Sequence, residues 1–241
     1  MVSKSQIKLI TSLQQKKYRK QEQLFIAEGI KVVQELLHSN FELLDLYTTK
    51  QDFLTVQKDK VHAITADELK KISALTTPNT CLAVFKIPKA KERVEEGLII
   101  ALDDVRDPGN LGTIIRLCDW FGVATLFCSE ESVDVYNPKV VQATMGSISR
   151  VNVMYGNLET FLLQSKLPVF GTFMDGKSIY QEKLPKEGII VMGNEANGIS
   201  SAVEKLVTKR IAIPRFGNLQ VTESLNVATA TAIILSEFKR G

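Results

Sequence analysis

The second half of the chain confines the fold more than any other feature. From Gly97 onward six short, almost unbroken apolar runs recur: "LIIALDD", "ATLFCS", "RVNVMY", "PVFGTFM", "GIIVMGN" and "RIAIP". Helical segments near 111–121, 137–147, 157–165, 200–207 and 225–238 separate them. A strand with one wet face alternates apolar and polar residues, whereas a run apolar throughout is buried on both sides. Helices between such runs supply the crossovers that parallel strands need. The pattern predicts an α/β fold with a parallel sheet covered on both faces. In such sheets ligands bind beyond the carboxyl ends of the strands.

The first 88 residues hold a separate alternation. "QIKLITSL" has helical spacing, and "LFIAEG" is a short apolar run ending at Gly29. "IKVVQELLHSN" places Val32, Val33, Leu36 and Leu37 on one face and stops near Asn40. "FELLDLYTT", "VHAIT" and "TCLAVFKIP" read as strands, and "ADELKKISAL" as a helix with Asp67 at its N-cap. After Pro88, "KAKERVEEG" is charged and lacks apolar periodicity, which marks it as a linker. The expected division is therefore 1–92 and 97–241.

Charge separates the same two parts. Residues 1–96 carry 16 basic and 12 acidic side chains, a net +4, and the remainder carries 14 and 15, a net −1. The first 20 residues hold six Lys/Arg and no acid. A basic arm on a near-neutral body suits a phosphate-rich partner, although a solvated terminal helix has the same composition. Cys81, Cys118 and Cys128 lie far apart in apolar surroundings, so they are expected as reduced core thiols rather than a disulfide framework or a metal site. No cationic leader and no run of 18 apolar residues occurs, so the chain reads as cytoplasmic with no membrane partner.

Three strand ends carry the unusual chemistry: "DDVRDPGN" (103–110), "GNEANGIS" (193–200) and "PRFGNLQVTESLN" (214–226). In the first, Pro108 and Gly109 make a turn, Asn110 is placed to cap the next helix, and Arg116 follows six residues later. Taken alone it is equally a capped helix with a surface arginine. In the second, Gly193 and Gly198 bracket Asn194, Glu195 and Asn197; no GK[ST] follows, and the spacing is not GxGxxG, so a phosphate loop is excluded. The third leads into "ESLNVATATAIILSEF", whose small residues allow close approach of another backbone.

These three loops, in this order, resemble the SpoU (TrmH-like) branch of the SPOUT RNA methyltransferases. The resemblance rests on Asn110 and Arg116 in "DPGNLGTIIR", on Gly193, Glu195 and Gly198, and on Ile213 and Pro214 followed by Ser224–Val227. It covers roughly residues 97–241. The first 90 residues are similar to the family's L30e-like substrate-binding extension, through "LFIAEGIKVVQELL". In one respect the chain departs from the family pattern: Arg215 and Phe216 follow Ile-Pro, and "GNLQVTE" lengthens the spacer before Ser224.

The resemblance implies an N-terminal L30e-like α/β domain and a C-terminal α/β domain closed by a trefoil knot, which ordinary connectivity rules would have rejected. It also implies S-adenosylmethionine as methyl donor, 2′-O-ribose methylation of RNA (ribosomal before transfer RNA), and a homodimer through the C-terminal domain. The cofactor is expected against Gly193, Ile213 and Leu225, and Asn110, Arg116, Glu195, Ser224 and Asn226 are the expected catalytic set, with no metal. A guanidinium stays protonated, so Arg116 suits stabilisation of the developing 2′-alkoxide and pairing with phosphate better than proton removal. Glu195 would orient Arg116 or take the proton. The rival readings are a non-catalytic RNA-binding protein and a nucleotide enzyme on a doubly wound sheet.

Overall fold

A computed structural model describes residues 2–50, 56–89, 96–217 and 224–240. Most of the charged stretch expected as a linker, and most of the spacer before Ser224, lie outside the described residues. In chain order the elements begin α1 (Lys4–Ser12), α2 (Lys16–Glu22), β1 (Leu24–Glu28), α3 (Ile30–Leu37), β2 (Leu43–Thr48), β3 (Val61–Ala63), α4 (Ala66–Ile72) and β4 (Cys81–Lys86). They continue with β5 (Leu98–Leu102), α5 (Pro108–Trp120), β6 (Thr125–Ser129), α6 (Pro138–Thr144), β7 (Asn152–Gly156) and α7 (Leu158–Gln164). The last are β8 (Val169–Ser178), β9 (Gly188–Met192), α8 (Ser201–Glu204), β10 (Lys209–Ala212) and α9 (Val227–Lys239).

These elements form two compact units. One comprises Met1–Ala90 together with Asp134–Ser149, and the other Lys91–Val133 with Arg150–Gly241. The contiguous division expected from composition therefore differs at one segment, because α6 belongs with the first unit. There it packs against β1, and Tyr136 lies on Phe25 with ring centroids 4.8 Å apart. β1 stands at the edge of the four-stranded sheet β1-β4-β2-β3, yet all five of its residues are buried. A covered edge is protected from pairing with another chain.

Arg19 adds to the same join. Its side chain is 2% exposed; Nε donates to Asp134 Oδ2 at 2.8 Å and an Nη donates to the Leu13 carbonyl at 2.9 Å. A buried guanidinium needs such partners, since desolvation without them costs several kcal/mol. Arg19 thus leaves the basic arm, in which Lys4, Lys8, Lys16, Lys17 and Lys20 remain exposed. The helix that carries Arg19, α2, fits the terminal-helix reading of this stretch, except that Arg19 is buried rather than solvated.

Two capping expectations are corrected. The cap of α4 is Thr65, with a reciprocal capping box to Glu68, and Asp67 lies inside the first turn. The cap of α5 is Asp107, whose Oδ1 accepts the Asn110 amide at 2.8 Å. Pro108 explains the shift: its fixed φ suits the first helical position, and it disfavours helical geometry in the residue before it. Asn110, freed from capping, keeps its side chain for other partners.

The second unit is a six-stranded sheet of order β10-β8-β9-β5-β6-β7 in which every pair is parallel. Strands β5, β6 and β9 are buried at every position, as their unbroken apolar runs require. On one face Phe127 stacks on Phe161 at 3.9 Å, and α5 turns Leu111, Ile114, Ile115 and Cys118 inward. Full burial of each large aliphatic side chain is worth about 1.5–3 kcal/mol. α5 also packs against α9. All three cysteines are free and buried; loss of solvation pushes the Cys81 and Cys128 thiols up to about 12 and Cys118 higher still, so they stay protonated.

The topology selects a place for a site. From β5 the chain moves outward to β6 and β7, then returns to the other side of β5 to lay down β8, β9 and β10. The reversal falls between β5 and β9. At such a switch point the loops leaving adjacent strands diverge and open a crevice.

Candidate functional site

The loop after β5 is built to turn sharply. Asp103 is buried and accepts the Ser200 amide at 2.7 Å. Asp104 adopts φ 58°; its amide donates to Ser129 Oγ at 3.0 Å and its carbonyl accepts from Asn194 Nδ2 at 2.6 Å. Arg106 donates to the Asp104 carboxylate at 2.7 Å, which raises the guanidinium pKa further.

The loop after β9 folds back on itself. Asn194 and Gly198 exchange both backbone hydrogen bonds, at 2.9 and 2.8 Å, while Asn194 Oδ1 accepts the amides of Ala196 and Asn197. A Cβ on Gly193 would lie 2.3 Å from the Gly198 carbonyl carbon, and Gly198 itself has φ +68°. Gly193 has no room for a side chain, and glycine adopts the left-handed conformation of Gly198 at no steric cost. The turn therefore exposes main-chain groups and the side chains of Glu195 and Asn197.

The third loop arrives at Asn226, the N-cap of α9. Its Oδ1 accepts the amides of Ala228 and Thr229 at 3.0 and 3.2 Å. Its Nδ2 donates to Asn110 Oδ1 at 2.9 Å, and Asn110 Nδ2 donates to Glu195 Oε1 at 2.7 Å. One chain of side-chain hydrogen bonds, Asn226 to Asn110 to Glu195, thus ties the three loops together. It also sets the orientation of both amides, because each oxygen and nitrogen has a defined role. Around it lies an open cleft of about 670 Å³ lined by Arg106, Asp107, Asn110, Glu195, Asn197 and Asn226.

The remaining expected residues take different positions. Gly193 follows β9 directly and Ile213 follows β10, so both lie at the carboxyl edge of the sheet. Ser224 and Leu225 are exposed just ahead of Asn226. Arg116 is exposed on α5 and does not line the cleft. Six residues of helix turn a side chain through about 600°, so Arg116 points roughly 120° away from Asn110. It shares an exposed stripe with Gly109, Thr113 and Trp120, the last 84% exposed. Glu195 is accordingly paired with Asn110. Asp103 and Asn194 were missed as organisers of the loops; their signal was a polar residue within two positions of the end of a fully apolar strand, where it must find a partner. Among the described residues no cluster of side chains could hold a metal ion, and no helix is long and apolar enough to cross a membrane.

Comparison with known proteins adds family matches to this geometry. Residues 97–236 match the SpoU rRNA Methylase family, and residues 4–83 match the MRM3-like substrate binding domain. The 23S rRNA (guanosine(2553)-2′-O)-methyltransferase RlmP of Bacillus subtilis is 27% identical over 230 residues, 92% of this chain and 91% of that protein. A solved structure of a putative RNA methyltransferase of the TrmH family from Porphyromonas gingivalis is 41% identical, covers 100% of this chain and 99% of its own, and superposes with a TM-score of 0.90. An AdoMet-bound rRNA methyltransferase from Sinorhizobium meliloti is 28% identical, with coverage of 100% and 97% and a TM-score of 0.87.

Proposed function

Because the chain belongs to the SpoU rRNA Methylase family, we propose that it transfers a methyl group from S-adenosylmethionine to a ribose 2′-hydroxyl of ribosomal RNA, with a guanosine of the large-subunit RNA as the first candidate. The observation that carries this reading is the Asn226–Asn110–Glu195 chain, which joins the three motif loops at the switch point of the sheet. The α/β knot class of that family and the match of residues 4–83 to the MRM3-like substrate binding domain support the same reading.

The residues present suit the methyl donor. Gly193 leaves only main-chain groups at the head of its turn, since any side chain would strike Gly198. Main-chain donors and acceptors at Gly193, Ile213 and Leu225 would suit a ligand that offers an adenine edge and an amino-acid end. The sulfonium supplies an electrophilic methyl group when the donor is bound. Asn110 and Asn226 hold the loops in register, Ser224 lies exposed two residues before Asn226, and Glu195 presents a carboxylate able to accept the hydroxyl proton.

Arg116 stabilises the developing alkoxide and pairs with a phosphate. Its place outside the cleft of its own chain, on a stripe ending in exposed Trp120, supports a homodimer in which α5 meets its counterpart and Arg116 serves the partner's cleft. The protein works in the cytoplasm, where ribosomal RNA is available. The test is a thermal-shift titration with S-adenosylmethionine followed by mapping of labelled methyl groups on unmodified 23S and transfer RNA. Absence of any shift would leave a non-catalytic RNA-binding protein, and label on transfer RNA alone would replace the substrate.

A further inference from the structure

Phe216, Met174 and Tyr180 expose 82%, 64% and 43% of their surfaces. Single exposed apolar residues are ordinary, but these three are gathered. The Phe216 and Tyr180 rings lie 6.3 Å apart, tilted by 32°, and an Arg215 Nη donates to the Met174 sulfur at 3.2 Å. Phe216 follows β10 and Tyr180 follows β8, adjacent parallel strands. Both rings therefore stand on the same carboxyl edge of the sheet as Gly193 and Asn110.

The cluster has a braced base. Pairing of β8 with β10 jumps from Gly171–Arg210 to Lys177–Ile211, so residues 172–176 form an excursion opposite a single step of β10. Gly176 closes it, because a Cβ there would lie 2.4 Å from the Ile211 carbonyl carbon. Arg210 locks it by binding Asp175 and Glu204 and by lying 3.6 Å from the centre of the Phe173 ring. Met174 lies exposed within this excursion.

We propose that Phe216 and Tyr180 form a stacking platform for an unpaired base of the RNA substrate, with Arg215 beside it. The proposal rests on the methyltransferase reading and specifies how that site holds its substrate. Sequence-specific recognition of RNA falls on single-stranded loops and bulges, and proteins hold their splayed bases on aromatic faces and guanidinium planes. Three side chains are far too few for a stable protein interface, which needs about 800 Å² from each partner. A ring exposed to this extent also encloses no small ligand, since cofactor pockets bury most of theirs.

The experiment compares wild type, Phe216→Ala and Phe216→Trp in binding to in-vitro-transcribed 23S RNA without cofactor, in methyl transfer, and in S-adenosylmethionine binding. Phe216→Ala is expected to weaken RNA binding by roughly 5- to 150-fold, the range for loss of one stacked base, with cofactor affinity unchanged and Phe216→Trp restoring RNA binding. Unchanged RNA affinity overturns the platform, as does a loss of cofactor affinity instead, or a change in sedimentation mass that makes the rings a contact between copies. A wild-type protein that binds RNA but transfers no methyl group removes the methyltransferase reading and leaves the platform standing. Wild type that binds no RNA removes both.

Discussion

Replacing Asn226 separates the two tasks its side chain performs. Its Oδ1 caps α9 through two amides, and its Nδ2 holds Asn110. Asn226→Ala removes both. Loss of an N-cap costs about 1 kcal/mol, and loss of a solvent-accessible amide–amide hydrogen bond about 0.5–1 kcal/mol, for a total near 1.5–2 kcal/mol. At roughly 2–4 °C per kcal/mol for a chain of this size, the melting temperature falls by about 3–8 °C. Asn226→Asp keeps the cap and adds a negative charge at a helix N-terminus, which is favourable. It has no donor for Asn110, and it places a second carboxylate in the network that holds Glu195. The aspartate variant is expected to melt within about 2 °C of wild type, on the same scale, yet to lose methyl transfer at least as fully as the alanine variant. Circular dichroism melts beside a tritium-methyl transfer assay provide the readout. If the aspartate variant retains wild-type turnover, the hydrogen-bonded chain does not organise the site.

Four further outcomes are expected. Arg116→Ala abolishes methyl transfer while calorimetry with S-adenosylmethionine stays near wild type; near-normal turnover would remove its role. Trp120→Glu, at the exposed end of the same stripe, yields monomers in analytical ultracentrifugation, and an unchanged mass would place the dimer contact elsewhere. Lys16→Glu with Lys17→Glu lowers the slope of log affinity against log salt by about 1 for each lysine that meets a phosphate; an unaltered slope would clear the basic arm of RNA contact. Glu28 is buried, accepts from Ser73 Oγ and the Ala74 amide, and has its carboxyl pKa pushed above the ordinary 4.5 by loss of solvation. A raised folded pKa gives stability that is complete below 4.5 and lost as pH rises through the folded value. Glu28→Gln keeps the Ala74 amide bond through its Oε1 and lets its Nε2 donate to Ser73 Oγ, without the charge, so its melting temperature relative to wild type rises from about pH 4 to about pH 8, and a flat difference would refute this.

Much of the architecture was legible because it rests on local rules. Unbroken apolar runs between helical segments announce a parallel sheet, since only strands buried on both faces can be apolar at every position. Strands β5, β6 and β9 are buried throughout, in agreement. The three polar loops at strand ends were equally visible, because glycine, asparagine and glutamate are costly there unless a turn or a partner uses them. Capping was less legible: Asp107 and Asn110 are both good caps, and only Pro108 between them decides the matter.

That the three loops share one site was read from their resemblance to the family, but which of their side chains pair was not legible. Asn110 meets Glu195 and Asn226 across separations of 85 and 116 residues, and nothing in local propensity specifies those pairs. They follow from the order of the strands, which reverses at β5 and brings the first, fifth and last connections of the second unit to one edge. The same holds for Arg19 with Asp134 and for the assignment of α6 to the first unit. Even the Asn110–Arg116 spacing, the clearest motif in the sequence, divides when helical geometry is applied: Asn110 enters the cleft of its own chain and Arg116 does not. Composition and periodicity establish which residues must be buried, because solvation is local. Which polar groups then meet is decided by topology, because a hydrogen bond needs its partner within about 3 Å.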